Sequence, residues 1–181
     1  MIQFASKLTV VPLLACALLT PGSSRENQQA TQHRKYEDEQ GYAVLSTLLD
    51  ALPKERAGSS PLIRIFYLTE TEKRTANATY CRIPEEFHAA AEDFDKPHGE
   101  AELADKFKLN VEYEIVSEVK RPPMNYVHYL TAVGFDPDRT HAVVFIDRVC
   151  GNVCGTGDFY FLRKEPSGWQ RVVVGGCGWI Y

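Results

Sequence analysis

The chain has 181 residues, a length that fits one domain or one domain with an appendage. Hydrophobic residues make up 44% and charged residues 24%, which is ordinary for a globular protein and argues against a disordered or fibrous chain. The formal net charge is −4, so the chain lacks the basic character of a general nucleic-acid-binding protein. Only one apolar stretch approaches membrane length, which excludes a polytopic membrane protein.

Residues 1–24 have the pattern of an export signal. Lys7 precedes an uncharged apolar stretch over residues 8–20, and small and polar residues follow it. A membrane-spanning helix needs about 20 apolar residues, so this stretch predicts export rather than a permanent transmembrane helix. The expected location is the bacterial cell envelope, facing the periplasm, or the outside of the cell.

Within this signal, residues 13–16 (LLAC) resemble a bacterial lipobox, where cleavage leaves a lipid-modified cysteine at the new N-terminus. We predict that Cys16 carries the lipid and that the lipid holds the protein at the membrane. The alternative is a simple signal peptide that is cleaved a few residues later, which would remove Cys16.

The sequence then divides into a tether and a domain. Residues 25–40 are polar and carry charges of both signs, a composition that predicts a flexible tether. Residues 41–181 are expected to form a single domain, because about 140 residues suffice for one hydrophobic core.

Helical patterns occupy the first half of that domain. Apolar residues at helical spacing predict a helix over residues 37–52, which Pro53 ends. Pro84 is followed by two glutamates and by apolar residues at i, i+3, i+4 and i+7, so a second helix is expected to begin there. Leu103 and Phe107 suggest a short third helix.

Strand patterns dominate the second half. Residues 62–68 are apolar and typical of a buried strand, and from residue 111 apolar and polar residues alternate. Further strands are predicted over 126–133, 141–149, 159–164 and 169–174. The short connections between them favour an antiparallel meander. The expected fold class is therefore α+β, with helices followed by a mainly antiparallel sheet and with the helices packed on one face.

Residues 133–172 (VGFDPDRTHAVVFIDRVCGNVCGTGDFYFLRKEPSGWQRV) carry a "GF" turn, an "AVVF" strand, a "CGxxCGxG" loop and an "LxK…GW" hairpin. This block resembles one that recurs in a group of uncharacterised bacterial exported proteins and lipoproteins. The similarity extends over about residues 62–181. It implies an exported protein and no particular activity.

Four cysteines remain after Cys16, namely Cys81, Cys150, Cys154 and Cys177. An even number in an exported domain predicts two disulfide bonds, for which three pairings are possible. A short turn brings Cys150 close to Cys154, which leaves Cys81 for Cys177. A four-cysteine zinc site and a redox-active cysteine pair are the alternatives.

Apart from the zinc alternative for the four cysteines, no motif in the sequence indicates a cofactor or a metal site, and neither is predicted. Candidate catalytic residues are limited to His128, His141, Asp147 and Asp158, which lie on neighbouring predicted strands. A histidine and an aspartate on one sheet could act as a general acid and base. A sheet histidine that is only hydrogen-bonded within the structure is the more common case.

These observations predict an exported, lipid-anchored small globular protein with a binding or envelope-associated role, whose partner is an envelope component or a small ligand. The alternative is a small exported hydrolase or transferase that uses the histidines and aspartates of the sheet, so the sequence leaves open whether the protein is an enzyme. A partner, a ligand and an oligomeric state are not specified by the sequence.

Overall fold

The structure, a computed structural model, describes residues 33–52, 62–70, 81–117, 126–150, 154–174 and 177–180. These residues belong to one compact unit. The predicted export signal over residues 1–24, its lipobox with Cys16, and residues 25–32 of the predicted tether lie outside the described residues.

The described part of the chain contains two α-helices and ten strands. The helices are α1 (Glu39–Ala51) and α2 (His88–Phe94), and a 3-10 turn (Glu85–Phe87) leads into α2. The strands are β1 (Arg34–Lys35), β2 (Ile63–Phe66), β3 (Ala101–Glu102), β4 (Tyr113–Val116), β5 (Val127–Leu130), β6 (Gly134–Phe135), β7 (His141–Cys150), β8 (Cys154–Glu165), β9 (Gly168–Val172) and β10 (Gly178–Ile180).

Eight of these strands form one sheet in the order β10-β8-β7-β5-β2-β4, with β6 paired to β7 and β9 paired to β8. Strands β5 to β10 pair antiparallel, whereas β2 pairs in parallel with both β4 and β5. The predicted mixture of helices with a mainly antiparallel sheet is confirmed. The meander is interrupted, because β2 lies between the consecutive strands β4 and β5.

The two helices pack against opposite faces of the sheet, so the prediction that they share one face is wrong. Alternate residues of a strand point to opposite faces. On β7, Ala142, Val144 and Ile146 belong to the hydrophobic cluster that contains the buried leucines of α1. Val143 and Phe145, at the intervening positions, belong to the cluster formed with α2. Each face of the sheet thus has its own hydrophobic core.

The folded unit begins earlier than the sequence predicts, because residues 33–40 of the predicted tether are part of it. Strand β1 pairs in parallel with β3, and Tyr36 is buried in the core of the α1 face. Asp38 caps α1 by accepting a hydrogen bond from the backbone N–H of Gly41 (3.0 Å), and both of its oxygens lie 2.6 Å from Arg139. This contact spans 101 residues and cannot be inferred from local composition.

The predicted third helix does not form, although Leu103 and Phe107 are both buried. Several backbone amides of this segment donate to other parts of the chain instead of to carbonyls one helical turn earlier. The N–H of Leu103 donates to the Tyr67 carbonyl (2.7 Å), and the N–H of Lys108 donates to the Ser46 hydroxyl (3.0 Å). The segment is therefore an extended strap across α1.

The described residues contain two disulfide bonds, in the pairing that the sequence predicts. Cys81 is bonded to Cys177, and Cys150 is bonded to Cys154. The first bond joins positions 96 residues apart and ties the segment before α2 to the start of β10. The second closes the connection between β7 and β8.

Candidate functional site

The structure separates the four candidate residues into three places. His128 on β5 and Asp158 on β8 point to the α1 face, because they pair across the sheet with residues of that face. Asp147 points to the α2 face. His141 lies at the far end of β7, seven residues from the position opposite His128, which corresponds to roughly 20 Å. His128 and Asp158 share the α1 face, whereas His141 and Asp147 are six residues apart along β7, roughly 20 Å.

His128 is buried, with 9% of its surface exposed. Its Nδ1 lies 3.0 Å from the backbone carbonyl of Arg64, and since a carbonyl only accepts, Nδ1 carries the proton. Burial, assisted by the charge of Arg148 and opposed by this hydrogen bond, lowers the pKa of His128 to about 4. The imidazole is consequently neutral at physiological pH, with an unprotonated Nε2.

Arg148 lies between the two candidate residues. It stands directly opposite His128 across the β5–β7 pair, and its Nη2 donates to the hydroxyl of Thr156 on β8 (2.8 Å). The same nitrogen is 3.8 Å from the Asp158 carboxylate, an ion pair with side-chain exposures of 23% and 39%. His128 and Asp158 themselves lie two strands apart, roughly 10 Å between the strand backbones, and Arg148 stands on the strand between them.

A tyrosine and a second arginine extend this surface toward β9. The guanidinium of Arg171 lies 4.7 Å from the centre of the Tyr160 ring. Burial and the Asp158 carboxylate raise the pKa of Tyr160, while the charges of Arg148 and Arg171 oppose that rise. The Tyr160 hydroxyl is therefore within electrostatic reach of both arginines and of the aspartate. We call this surface the arginine row; it comprises His128, Arg148, Thr156, Asp158, Tyr160 and Arg171.

A glycine on the edge strand makes room for the carboxylate of the arginine row. Gly178 pairs with Asp158 across β8 and β10. A Cβ atom at Gly178 would lie 1.9 Å from Oδ1 of Asp158, closer than atoms can approach. Any other residue at position 178 would therefore force the Asp158 carboxylate to move.

His141 takes part in a turn and not in the arginine row. Oδ1 of Asp136 accepts from the backbone N–H groups of Thr140 (2.7 Å) and His141 (2.9 Å), and Oδ2 lies 3.0 Å from Nδ1 of His141. Burial alone would raise the pKa of Asp136, but these hydrogen bonds outweigh it and lower the pKa to about 2. The histidine and aspartate at this place hold the β6–β7 connection together.

Asp147 is buried on the opposite face of the sheet, directly across from Tyr129. Burial, together with the charges of Glu70 and Asp147, raises the pKa of Tyr129. Asp147 consequently does not contribute to the surface that contains His128 and Asp158.

The sequence interpretation missed Arg148, Tyr160 and Arg171. Arg148 follows Val144 and Ile146 at intervals of two, so the alternation of β7 already directs it to the same face as those apolar residues. The register between β7 and β8 places Tyr160 near Arg148, and the register between β8 and β9 adds Arg171; the sequence specifies neither.

Within the described ranges, no group of three or more histidine, cysteine, aspartate or glutamate side chains is placed to hold a metal ion. No helix in the described part of the chain is long and apolar enough to cross a membrane. Comparison of the chain with protein-family models, with curated proteins and with solved structures finds no match.

Proposed function

We propose that the chain is an exported binding protein of the bacterial cell envelope, held at the membrane by a lipid on Cys16, and that its arginine row contacts a small anionic ligand. The two disulfide bonds support the exported location, because such bonds persist in oxidising compartments. The LLAC pattern at residues 13–16 supports the lipid attachment.

The ligand proposal rests on the small number of hydrogen bonds that the Arg148 guanidinium donates. A guanidinium has five N–H donors, and within the described residues Arg148 makes one hydrogen bond, to Thr156. It is held in place by the sheet and remains partly accessible. The planar arrangement of its donors matches the oxygens of a carboxylate or phosphate group. Arg171 adds a second positive charge against the single negative charge of Asp158.

Binding is favoured over catalysis because the four candidate residues predicted from the sequence do not pair with one another. His141 is engaged with Asp136 in a turn, Asp147 faces the other side, and roughly 10 Å separates the strand backbones of His128 and Asp158. The alternative, a small hydrolase or transferase, is favoured by one feature, the neutral His128 with its unprotonated Nε2. That group could act as a general base on a substrate held by Arg148.

We expect Arg148→Gln to weaken binding of citrate or inorganic phosphate at least about tenfold, because a hydrogen bond to a charged group contributes roughly 1.5–3 kcal/mol. Isothermal titration calorimetry at constant ionic strength measures the effect. Arg163→Gln is the matched control, since Arg163 is an exposed arginine of β8 outside the arginine row. Equal affinities for wild type and Arg148→Gln, or no binding by the wild type, would contradict the ligand proposal.

The enzyme alternative is tested with p-nitrophenyl acetate and p-nitrophenyl phosphate. The binding proposal expects no turnover that depends on His128. A rate that is present in the wild type and is lost in His128→Gln, with circular dichroism unchanged, would favour the enzyme.

The lipid anchor is tested separately. We expect metabolically supplied fatty acid to label the mature protein, and Cys16→Ser to abolish the labelling completely, because the thiol is the attachment point. Labelling that survives Cys16→Ser, or a mature N-terminus beyond residue 16, would leave simple secretion as the explanation.

A further inference from the structure

A groove separate from the arginine row runs beside α1, with a volume of about 640 Å³. Its floor contains Tyr42 from α1 and Trp169 from β9, which are 3% and 8% exposed. Its rim contains Lys106 and Lys108 from the extended strap and Lys164 from β8. The volume lies in the range of sites for small organic ligands, roughly 300–1,000 Å³.

The apolar floor and the lysines lie next to each other. The Lys106 ammonium is 5.8 Å from the centre of the Tyr42 ring, and the Lys164 ammonium is 5.8 Å from the centre of the Trp169 ring. Two of the three lysines thus hold their charges beside the aromatic rings of the floor, and all three are exposed to solvent. Such a surface offers apolar contact inside and positive charge at the mouth.

The lysines of the rim lack acidic partners. Among the described residues, none of the three forms an ion pair, and the Lys164 ammonium donates one hydrogen bond, to the amide oxygen of Gln40 (3.4 Å). Of the described residues that line the groove, Glu39 is the one carboxylate, so together with the three lysines they carry a net charge of +2 in a chain whose net charge is −4. Three like charges around one opening attract an anion and repel a cation.

We propose that this groove binds an anionic amphiphile, a molecule with an apolar chain or ring and a carboxylate, sulfate or phosphate head. The apolar part would lie over Tyr42 and Trp169, and the head would lie among Lys106, Lys108 and Lys164. A neutral apolar ligand would leave the positive charges unused, whereas a small inorganic anion would leave the apolar floor unused. This site is additional to the arginine row and does not depend on it.

Laurate, used below its micelle concentration, is the probe. Two analogues separate the contributions of its parts: acetate has the same head without the chain, and dodecyltrimethylammonium has the same chain with the opposite charge. We expect calorimetry to detect binding of laurate to the wild-type protein and at least about tenfold weaker binding of both analogues. We also expect added salt to weaken laurate binding, because exposed charges are screened.

Two variants connect the binding to the groove. Lys106→Gln with Lys164→Gln should weaken laurate binding about tenfold, while Lys35→Gln, an exposed lysine outside the groove, should not. Ala43→Phe should abolish binding, because Ala43 is an exposed residue of α1 that lines the groove and a larger side chain would fill it without disturbing the core. Arg148→Gln should bind laurate normally.

The proposal is overturned if dodecyltrimethylammonium binds as tightly as laurate, or if laurate does not bind the wild-type protein. It is equally overturned if laurate binds but neither Ala43→Phe nor the double lysine variant changes its affinity. Loss of laurate binding in Arg148→Gln alone would place the ligand in the arginine row instead.

Discussion

Replacing Cys81 and Cys177 together by serine should lower the free energy of unfolding by about 4–5 kcal/mol, the largest effect that we expect from any change in this chain. A disulfide restricts the unfolded chain more strongly when it closes a longer loop, and these two cysteines are 96 residues apart. Cys177 is also buried in the core of the α2 face, with Phe87 and Phe161. Losing the bond would release both the approach to α2 and the edge strand β10.

The Cys150–Cys154 bond provides the matched comparison. These cysteines are four residues apart, so the same chain-entropy argument gives a loss of only about 2 kcal/mol when both become serine. Urea denaturation of both double variants and the wild type, monitored by circular dichroism under non-reducing conditions, measures the difference. Equal losses, or a larger loss for the short loop, would show that loop length does not control the stabilisation.

Elements with strong local signals could be predicted from the sequence. Helix α1 lies within the predicted range of 37–52, and α2 follows Pro84 as the spacing of its apolar residues indicates. The pairing of the cysteines also follows from the sequence, because the short turn between Cys150 and Cys154 leaves only one partner for each of the others.

Features that depend on contacts between distant segments could not be predicted. Nothing in the sequence of α1 or α2 states which face of the sheet it covers, because the strands β7 and β8 are apolar on both sides. The segment around Leu103 has helical spacing, yet Tyr67 and Ser46 accept hydrogen bonds from its backbone and keep it extended. Long-range hydrogen bonds therefore override the local pattern.

The candidate site likewise combines residues that the sequence makes visible with an arrangement that only contacts between distant segments determine. His128 and Asp158 are recognisable as polar residues on apolar strands, but the sequence gives no reason to select them over His141 and Asp147. The register of β5, β7 and β8 makes that selection, by placing Arg148 between His128 and Asp158 and directing Asp147 to the other face. A shift of one residue in this register would exchange the two faces.

The second large effect that we expect is a loss of stability in mild acid that depends on His128. Its pKa in the folded protein is about 4, against an ordinary value of 6.5, because the imidazole is buried and faces Arg148. Between these two values the unfolded chain binds a proton at His128 and the folded chain does not. Stability from this group is therefore fully present above about pH 6.5 and is lost as the pH falls toward 4.

The loss of stability through His128 differs in its pH range from the losses that other titratable groups cause. Lowering the pH from about 7 to about 4.5 should reduce the free energy of unfolding by about 2–3 kcal/mol through His128 alone. Two aspartates also have lowered pKa values: that of Asp136 is about 2, and that of Asp93 is lowered because its hydrogen bonds outweigh burial. Their contributions to stability are lost only as the pH falls below 3.8, the ordinary pKa of an aspartate. The interval from about pH 7 to about pH 4.5 consequently isolates the histidine from these two aspartates.

Urea denaturation across this interval compares the wild type with His128→Gln, whose amide can still donate to the Arg64 carbonyl but does not titrate. We expect the variant to lose most of the acid dependence, whereas His88→Gln, a change at an exposed histidine of α2, should retain it. Identical slopes for the wild type and His128→Gln would mean that His128 ionises as readily in the folded chain as in the unfolded one. In that case the neutral imidazole beside Arg148 would no longer support either a binding or a catalytic role for the arginine row.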